Sequence, residues 1–322
     1  MSNKLSIFAT LWHIPYLYEV SKTGHRFVFG TWPLEMFGKN NLFAINKERP
    51  LNFELEESRY NATKRIKGGE FDLILCMNEL DLEFALKLTI PKIFCILDYP
   101  IEEAYISIEE TRKRKVFFTD ISNVLVGPES YISAWGLPKS ESEKFIFIDT
   151  CVDHTEFYGY VGDEVSILVM GNYLNRKHFG LKELQYLCKD LPLKVIGWTA
   201  DIISSPCSSF DEIRKSYKKH RIFLHLFKWP IIKVGYGMSY LEAMATGMPV
   251  VSLIHPDTLI KDGYNGFISG DLRYLREKIE ILLSDIELSR ELGSNSRKTV
   301  INLRNFDMFL EKWNKAFYMA LK

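Results

Sequence analysis

The sequence predicts an α/β protein of two Rossmann-like domains in series, facing across a cleft. Three observations predict it. Apolar runs of strand length alternate with polar or amphipathic helical stretches, the pattern of parallel sheets covered by helices. The alternation pauses once, over residues 145–164, and then restarts. The length, 322 residues, suits about two domains, and a composition 47% hydrophobic and 25% charged supplies two cores.

In order, "LSIFAT" (5–10) is a buried strand and "HIPYLYEVSKTG" a helix stopped at Gly24. "HRFVFGTW" (25–32) is a strand, and "ESRYNATKRIKGGE" a polar helix ending at Gly68 and Gly69. "FDLILCMNE" (71–79) and "PKIFCILDYP" (91–100) are strands around "LDLEFALKLTI". "IEEAYISIEETRKRKVFFT" reads as one long amphipathic helix, followed by the strand "SNVLVGPES" (122–130). The turn-rich stretch "FIFIDTCVDHTEFYGYVGDE" (145–164) holds the domain boundary, near 150–163. Beyond it come the strands "VSILVMGNY" (165–173), "LKVIGWT" (193–199) and "RIFLHLF" (221–227), with "KELQYLCKDL" and "FDEIRKSYKKH" as helices. The expected divisions are 1–155, 156–305 and a last helix, 306–322. That helix crosses back to the first domain with Phe306, Phe309, Leu310, Trp313, Phe317 and Leu321 on one face.

Lys and Arg number 41, as do Asp and Glu, so there is no basic excess and no general nucleic-acid binding is expected. Five scattered cysteines form no CxxC pair, which argues against a disulfide framework or structural zinc and for a reducing cytoplasm. No apolar run reaches the length of a spanning helix. The start, "MSNKLSIFATLW", reads as a first strand rather than a signal peptide. The basic run "RKRK" (112–115) has two readings, a solvated helix face beside Glu109 and Glu110 or a peripheral contact with an anionic inner membrane face.

One stretch carries chemistry, "GYGMSYLEAMATGMPVVS" (235–252). Gly235 and Gly237 let the backbone approach a ligand just before a helix N-terminus, where free N–H groups and the dipole favour phosphate. Glu242, about a turn in, has two readings. As the acid of a capping box with Ser239, it reaches back to the cap. As a ligand group, it accepts the hydroxyls of a ribose.

This stretch resembles the donor-site segment of retaining GT-B glycosyltransferases of family 4 type (glycosyl transferases group 1), usually E-G-F-G-L-x-x-L-E-A-M-A-x-G-x-P-V-V. "FIFIDTCVDHTEF", "SILVMGNYLNRKHFGL" and "DGYNGFISGDLRYLREKIEILLSDIELSRELGSNSRKTV" resemble, in order, further segments of that family, over residues 145–300. The N-terminal half resembles it only in the order of strands and helices. The resemblance implies transfer of a sugar, with retention, from a nucleotide-sugar donor to an unidentified acceptor. Glu242 then binds the donor ribose, and Gly235, Tyr236, Gly237 and Met238 lie against the diphosphate and sugar. Lys177 neutralises the leaving diphosphate in a dry cleft. Asn172 stands where the family has Arg, with Arg176 as a substitute, and Val234 stands where it has a first acid. No Asp-x-Asp pair stands at a strand end, so no metal is expected, nor any cofactor beyond the nucleotide sugar. Base recognition falls to backbone groups near residues 197–199 and 225–227.

On the acceptor side, Asp98 and Tyr99 end a strand where the family often has a catalytic-side His. Asp98 is a catalytic candidate or a turn residue before Pro100. His13 follows the first strand and meets substrate or packs in its loop. Glu79, at a strand end, lines the cleft or serves as a helix cap or surface acid, and Asp153 and His154 read as shapers of the interdomain turn. Two other classes stay open: a non-catalytic nucleotide-sugar-binding or partner subunit, favoured by Val234 and Asn172, and a GT-B epimerase, which lacks the further acids it would need.

Overall fold

Continuous apolar runs become parallel strands in both halves of the chain. The computed structural model describes residues 4–32, 53–100, 107–137, 144–171, 174, 179–197, 199, 202–205, 207, 209–228 and 237–322. The chain divides into two compact units, Met1–Thr150 with Asp307–Lys322, and Cys151–Phe306.

The first unit holds β1 (Ser6–Thr10), β2 (Arg26–Gly30), β3 (Phe53–Glu56), β4 (Leu73–Cys76), β5 (Lys92–Cys95), β6 (Val124–Gly127) and β7 (Phe145–Phe147). They form one parallel sheet ordered β3-β2-β1-β4-β5-β6-β7. The order reverses between β1 and β4, so a crevice opens at their carboxyl ends. Its helices are α1 (Ile14–Ser21), α2 (Arg59–Lys67), α3 (Glu79–Ala85), α4 (Ile108–Asp120) and α5 (Glu129–Ala134). Ser58, Asn78 and Ser107 start α2, α3 and α4 by accepting a bond from the N–H three residues on. The last helix, α11 (Phe306–Ala320), buries Phe309, Trp313 and Phe317 against this unit, where Tyr16 meets Phe309 and Trp313 edge-on and Phe27 meets Phe317. Leu321, expected on the same face, lies past the helix end and is exposed.

The second unit holds β8 (Glu164–Met170), β9 (Leu193–Ile196), β10 (His220–His225), β11 (Val250–Leu253) and β12 (Gly266–Ser269), again all parallel, ordered β12-β11-β10-β8-β9. Here the order reverses between β8 and β10. Its helices are α6 (Leu181–Leu187), α7 (Phe210–Lys219), α8 (Met238–Thr246), α9 (Leu272–Ser284) and α10 (Ile286–Leu303).

Three expectations need correction. The turn-rich stretch 145–164 begins with a strand, β7, because its Phe-Ile-Phe run pairs with β6 at the sheet edge. The helix expected over 101–119 is shorter: Ser107 caps it at Ile108, and residues 101–106 lie outside the described residues. The basic run on it is not a uniform solvated face, since Lys115 is 5% exposed and lies over the rings of Phe94 and Trp135. Among the described residues no helix is long and apolar enough to cross a membrane.

Candidate active site

Helix α8 organises the second unit's site. Gly237 precedes it in extended backbone, and among the described residues no side chain caps it. Its first-turn N–H groups therefore point out of the helix end with no cap from a described side chain. At its other end Gly247 turns left-handed, φ 93°, and closes the helix. The Gly247 carbonyl lies against Gly293 of α10, where a Cβ would come within 1.9 Å of it, so glycine at 293 lets α10 seat α8. The capping-box reading of Glu242 fails here. Ser239 is the second helical residue, not the cap, and the Glu242 side chain bonds elsewhere.

Glu242 is 8% exposed. The Tyr217 hydroxyl, on α7, donates to its Oε2 at 2.7 Å. Tyr217 is fully buried, its ring packed against Phe157 and Phe223. Glu242 Oε1 takes no hydrogen bond among the described residues. Burial pushes the carboxyl up to about 7; the Tyr217 bond holds it down, and Glu156 adds an upward push. A buried carboxylate with an open oxygen, behind an uncapped helix N-terminus, is equipped to accept hydroxyl donors while the helix end receives an anion.

The neighbouring walls come from the carboxyl ends of β8 and β10. Phe179 and Phe227 pair as an antiparallel bridge with ring centroids 4.7 Å apart, and Gly180 N–H donates to the Leu226 carbonyl at 2.9 Å. Lys228 and Glu183 pair at 2.6 Å beside this bridge. A Cβ on Gly237 would stand 3.3 Å from the Phe227 ring, so glycine keeps the cap close to that wall. A cavity of about 20 Å³ lies between the strands, lined by Met170, Leu174, Phe179, Leu224 and His225 among others. Burial pushes the His225 imidazole well down, and that of His255 to about 4, so both are neutral.

Residues 161–285 match the family model described as glycosyl transferases group 1. This segment is similar to the group 1 glycosyl transferases. The capsular polysaccharide biosynthesis glycosyltransferase CapM of Staphylococcus aureus is 32% identical over 166 residues, 50% of this chain and 40% of CapM, so the match spans well under two thirds of that relative. Among solved structures, HepE from Anabaena in complex with UDP and glucose superposes with a TM-score of 0.71 at 13% identity, covering 98% of this chain and 99% of that one. WaaG, a glycosyltransferase involved in lipopolysaccharide biosynthesis, superposes with a TM-score of 0.64 at 15% identity, over 96% and 99% of the two chains. These likenesses show the fold, which is of the GT-B type.

Within the group 1 segment, Gly237, Met238 and Glu242 stand together at the start of α8. Asn172, Arg176, Lys177, Val234, Gly235 and Tyr236 lie outside the described residues. Asp153 accepts from the N–H and hydroxyl of Thr155, and the His154 carbonyl accepts from Arg297, so both shape the turn.

In the first unit, His13 precedes α1, and burial pushes its imidazole down while Asp98 pulls it up. Asp98 lies after β5; its carboxylate is 3.5 Å from the buried Lys115 Nζ, and its carbonyl accepts the Trp135 indole N–H at 2.7 Å. His13, Asp98 and Lys115 therefore share one neighbourhood. Tyr99 is buried with its ring 4.5 Å from Tyr131. Glu79 opens α3 and reaches Arg114 at 3.7 Å, in line with a helix-start acid.

Sequence reasoning missed Asp81, which is 3% exposed. Its Oδ1 accepts from the Thr10 hydroxyl and, at 2.8 Å, from the Trp12 indole N–H; its Oδ2 accepts from Met77 N–H at 2.9 Å. Asp81 thus ties the loops after β1 and β4 at the first sheet's crevice. Burial raises its carboxyl to about 6 against those bonds. The available signal was Asn78-x-x-Asp81, a cap with an acid three residues on.

Proposed function

We propose that this protein is a retaining glycosyltransferase that moves a sugar from a nucleotide-sugar donor to an acceptor. The observation that carries the reading is Glu242, a buried carboxylate with one oxygen engaged and one open, on the helix whose N-terminus follows Gly237. In this reading its open oxygen accepts the ribose hydroxyls. The turn from Gly235 to Met238 lies against the diphosphate, and Lys177 with Arg176 neutralises the leaving group. Charge stabilisation of that kind in a dry site is a large part of such catalysis. In the first unit, Asp98 and the neutral His13 are the residues proposed to meet the acceptor, and the leaving diphosphate helps to remove the acceptor's proton. HepE is solved with UDP and with UDP-glucose, which makes UDP the first nucleotide to test.

The reading includes a reducing cytoplasmic setting, supported by five buried cysteines, none of them in a disulfide. Peripheral membrane contact through the basic run would rest on Arg112, Lys113 and Arg114, since Lys115 is buried.

The test is incubation of the purified chain with a panel of nucleotide sugars, following donor hydrolysis. Release of nucleoside diphosphate that is lost in Glu242→Ala supports the enzyme. Tight binding without turnover on any donor favours instead a non-catalytic nucleotide-sugar-binding subunit, the reading that Val234 and Asn172 motivate.

A further inference from the structure

A ribose-binding carboxylate has to present the right oxygen, and it has to be charged while buried. Nothing on α8 itself does either for Glu242. The only side chain among the described residues that bonds its carboxylate comes from another helix, 25 residues earlier in the chain. Tyr217 is 0% exposed, wedged between Phe157 and Phe223, so its hydroxyl has little freedom of direction.

We propose that Tyr217 is a positioning residue for the nucleotide site: its hydroxyl fixes Oε2 of Glu242, leaves Oε1 for the ligand's vicinal hydroxyls and favours the ionised carboxylate that accepts them. The proposal rests on the assignment of Glu242 as the ribose acceptor. The chemistry follows from donor and acceptor counts. Burial first, and then the neighbouring Glu242 carboxylate, keep the Tyr217 proton bound far above neutrality, so it acts as a donor at any working pH. A hydrogen bond given to a carboxylate favours the charged form. Ribose hydroxyls do the same when they bind, so below the carboxyl's midpoint near 7 binding releases about one proton.

The other groups around the pair do not take over this role. Glu156, in the segment before β8, opposes the charge. Cys207 lies near Tyr217, and its thiol is raised to about 11, which keeps it neutral. Arg297 of α10 reaches α8, but its guanidinium is engaged by the carbonyls of His154, Phe157 and Ala245. Tyr217 is thus the one described group that stabilises the charge at Glu242.

Tyr217→Phe removes the hydroxyl and keeps the ring, so the packing survives. Two measurements on the full chain test the proposal. The first is the Glu242 side-chain carboxyl followed by carbon NMR across pH without ligand, in wild type and Tyr217→Phe. The midpoint should rise by about one pH unit in the variant; an unmoved midpoint overturns the proposal, whether or not the chain binds nucleotide. The second is calorimetric titration with UDP from pH 6 to 9. Tyr217→Phe should bind about fivefold more weakly at pH 7 and approach wild type by pH 9, since a one-unit rise from a midpoint near 7 cuts the ionised fraction about fivefold at pH 7 and hardly at all at pH 9. A loss equal at every pH, or none, overturns the proposal. If wild-type protein binds neither UDP nor ADP, GDP and TDP, the nucleotide-site assignment and the positioning role fail together; if wild type binds and only Glu242→Ala loses affinity, the assignment stands and the role of Tyr217 fails.

Discussion

Two buried carboxylates, one in each unit, look alike until their hydrogen bonds are counted. Asp81 and Glu242 are each under a tenth exposed, each on a helix that follows a parallel strand, and each raised by burial, to about 6 and about 7. Asp81 receives three donors across its two oxygens. Glu242 receives one, on one oxygen. The saturated acid ties two loops of the chain together; the unsaturated one has an oxygen to spare, the capacity that the proposed ribose contact would use. Burial alone does not separate a structural carboxylate from a binding one, whereas its remaining acceptor sites do.

The sharpest way to break this comparison is Glu242→Ala. Charge-assisted bonds to ribose hydroxyls are worth roughly 1.5–3 kcal/mol each, so nucleoside diphosphate affinity should fall on the order of tenfold to a few hundredfold. Calorimetric titration reads this, and intact affinity would make Glu242 a second structural acid.

Next in size is the pH dependence of stability. Both carboxyls sit above their ordinary values of 3.8 and 4.5 in the folded chain, so the native state holds more protons than the unfolded one between those values and about 6 or 7. Stability should therefore be greatest at the acid end of that window, fall as pH rises through it, and level off above about 7. Each group accounts for on the order of 2–3 kcal/mol of that fall. Urea unfolding at pH 5, 6 and 8 measures it, and Glu242→Gln should remove the part nearest neutrality.

Asp81→Asn comes third. Whichever way the amide turns, its NH₂ faces a buried N–H, of Trp12 or of Met77. Unfolding free energy at pH 6 should drop by about 1–3 kcal/mol, with UDP affinity unchanged. A large loss of affinity would mean that Asp81 is not merely structural.

The smallest expected effect is that of Ser239→Ala. Loss of a true N-cap costs about 0.5–2 kcal/mol. Ser239 lies inside α8, so the melting temperature should stay close to wild type. A clear drop would restore the capping-box reading.

The interior strands were legible because a strand buried on both faces must be apolar throughout, as "LILC" and "VLVG" are. The elements that sequence reasoning passed over, β3, β7 and β12, are sheet-edge strands of three or four residues. An edge strand pairs on one side only, so "FELE" carries no continuous apolar run to betray it. Gly237 and Glu242 were legible as a pair because helix start and acid are five residues apart. Lys115 was misread because its burial depends on Phe94, Trp135 and Asp98, all distant in sequence.

By itself, then, the sequence determined the strand–helix order, the two-unit plan and the placing of an acid on a glycine-led helix, because those follow from local pattern and spacing. Only the tertiary structure decided which partners each acid has. The partner of Glu242 lies 25 residues away on α7, and two donors to Asp81, Thr10 at the end of β1 and Trp12 just after it, lie 71 and 69 residues away. A carboxylate's free acceptor capacity is set by which groups the folded backbone brings to it, and no local window of sequence contains both.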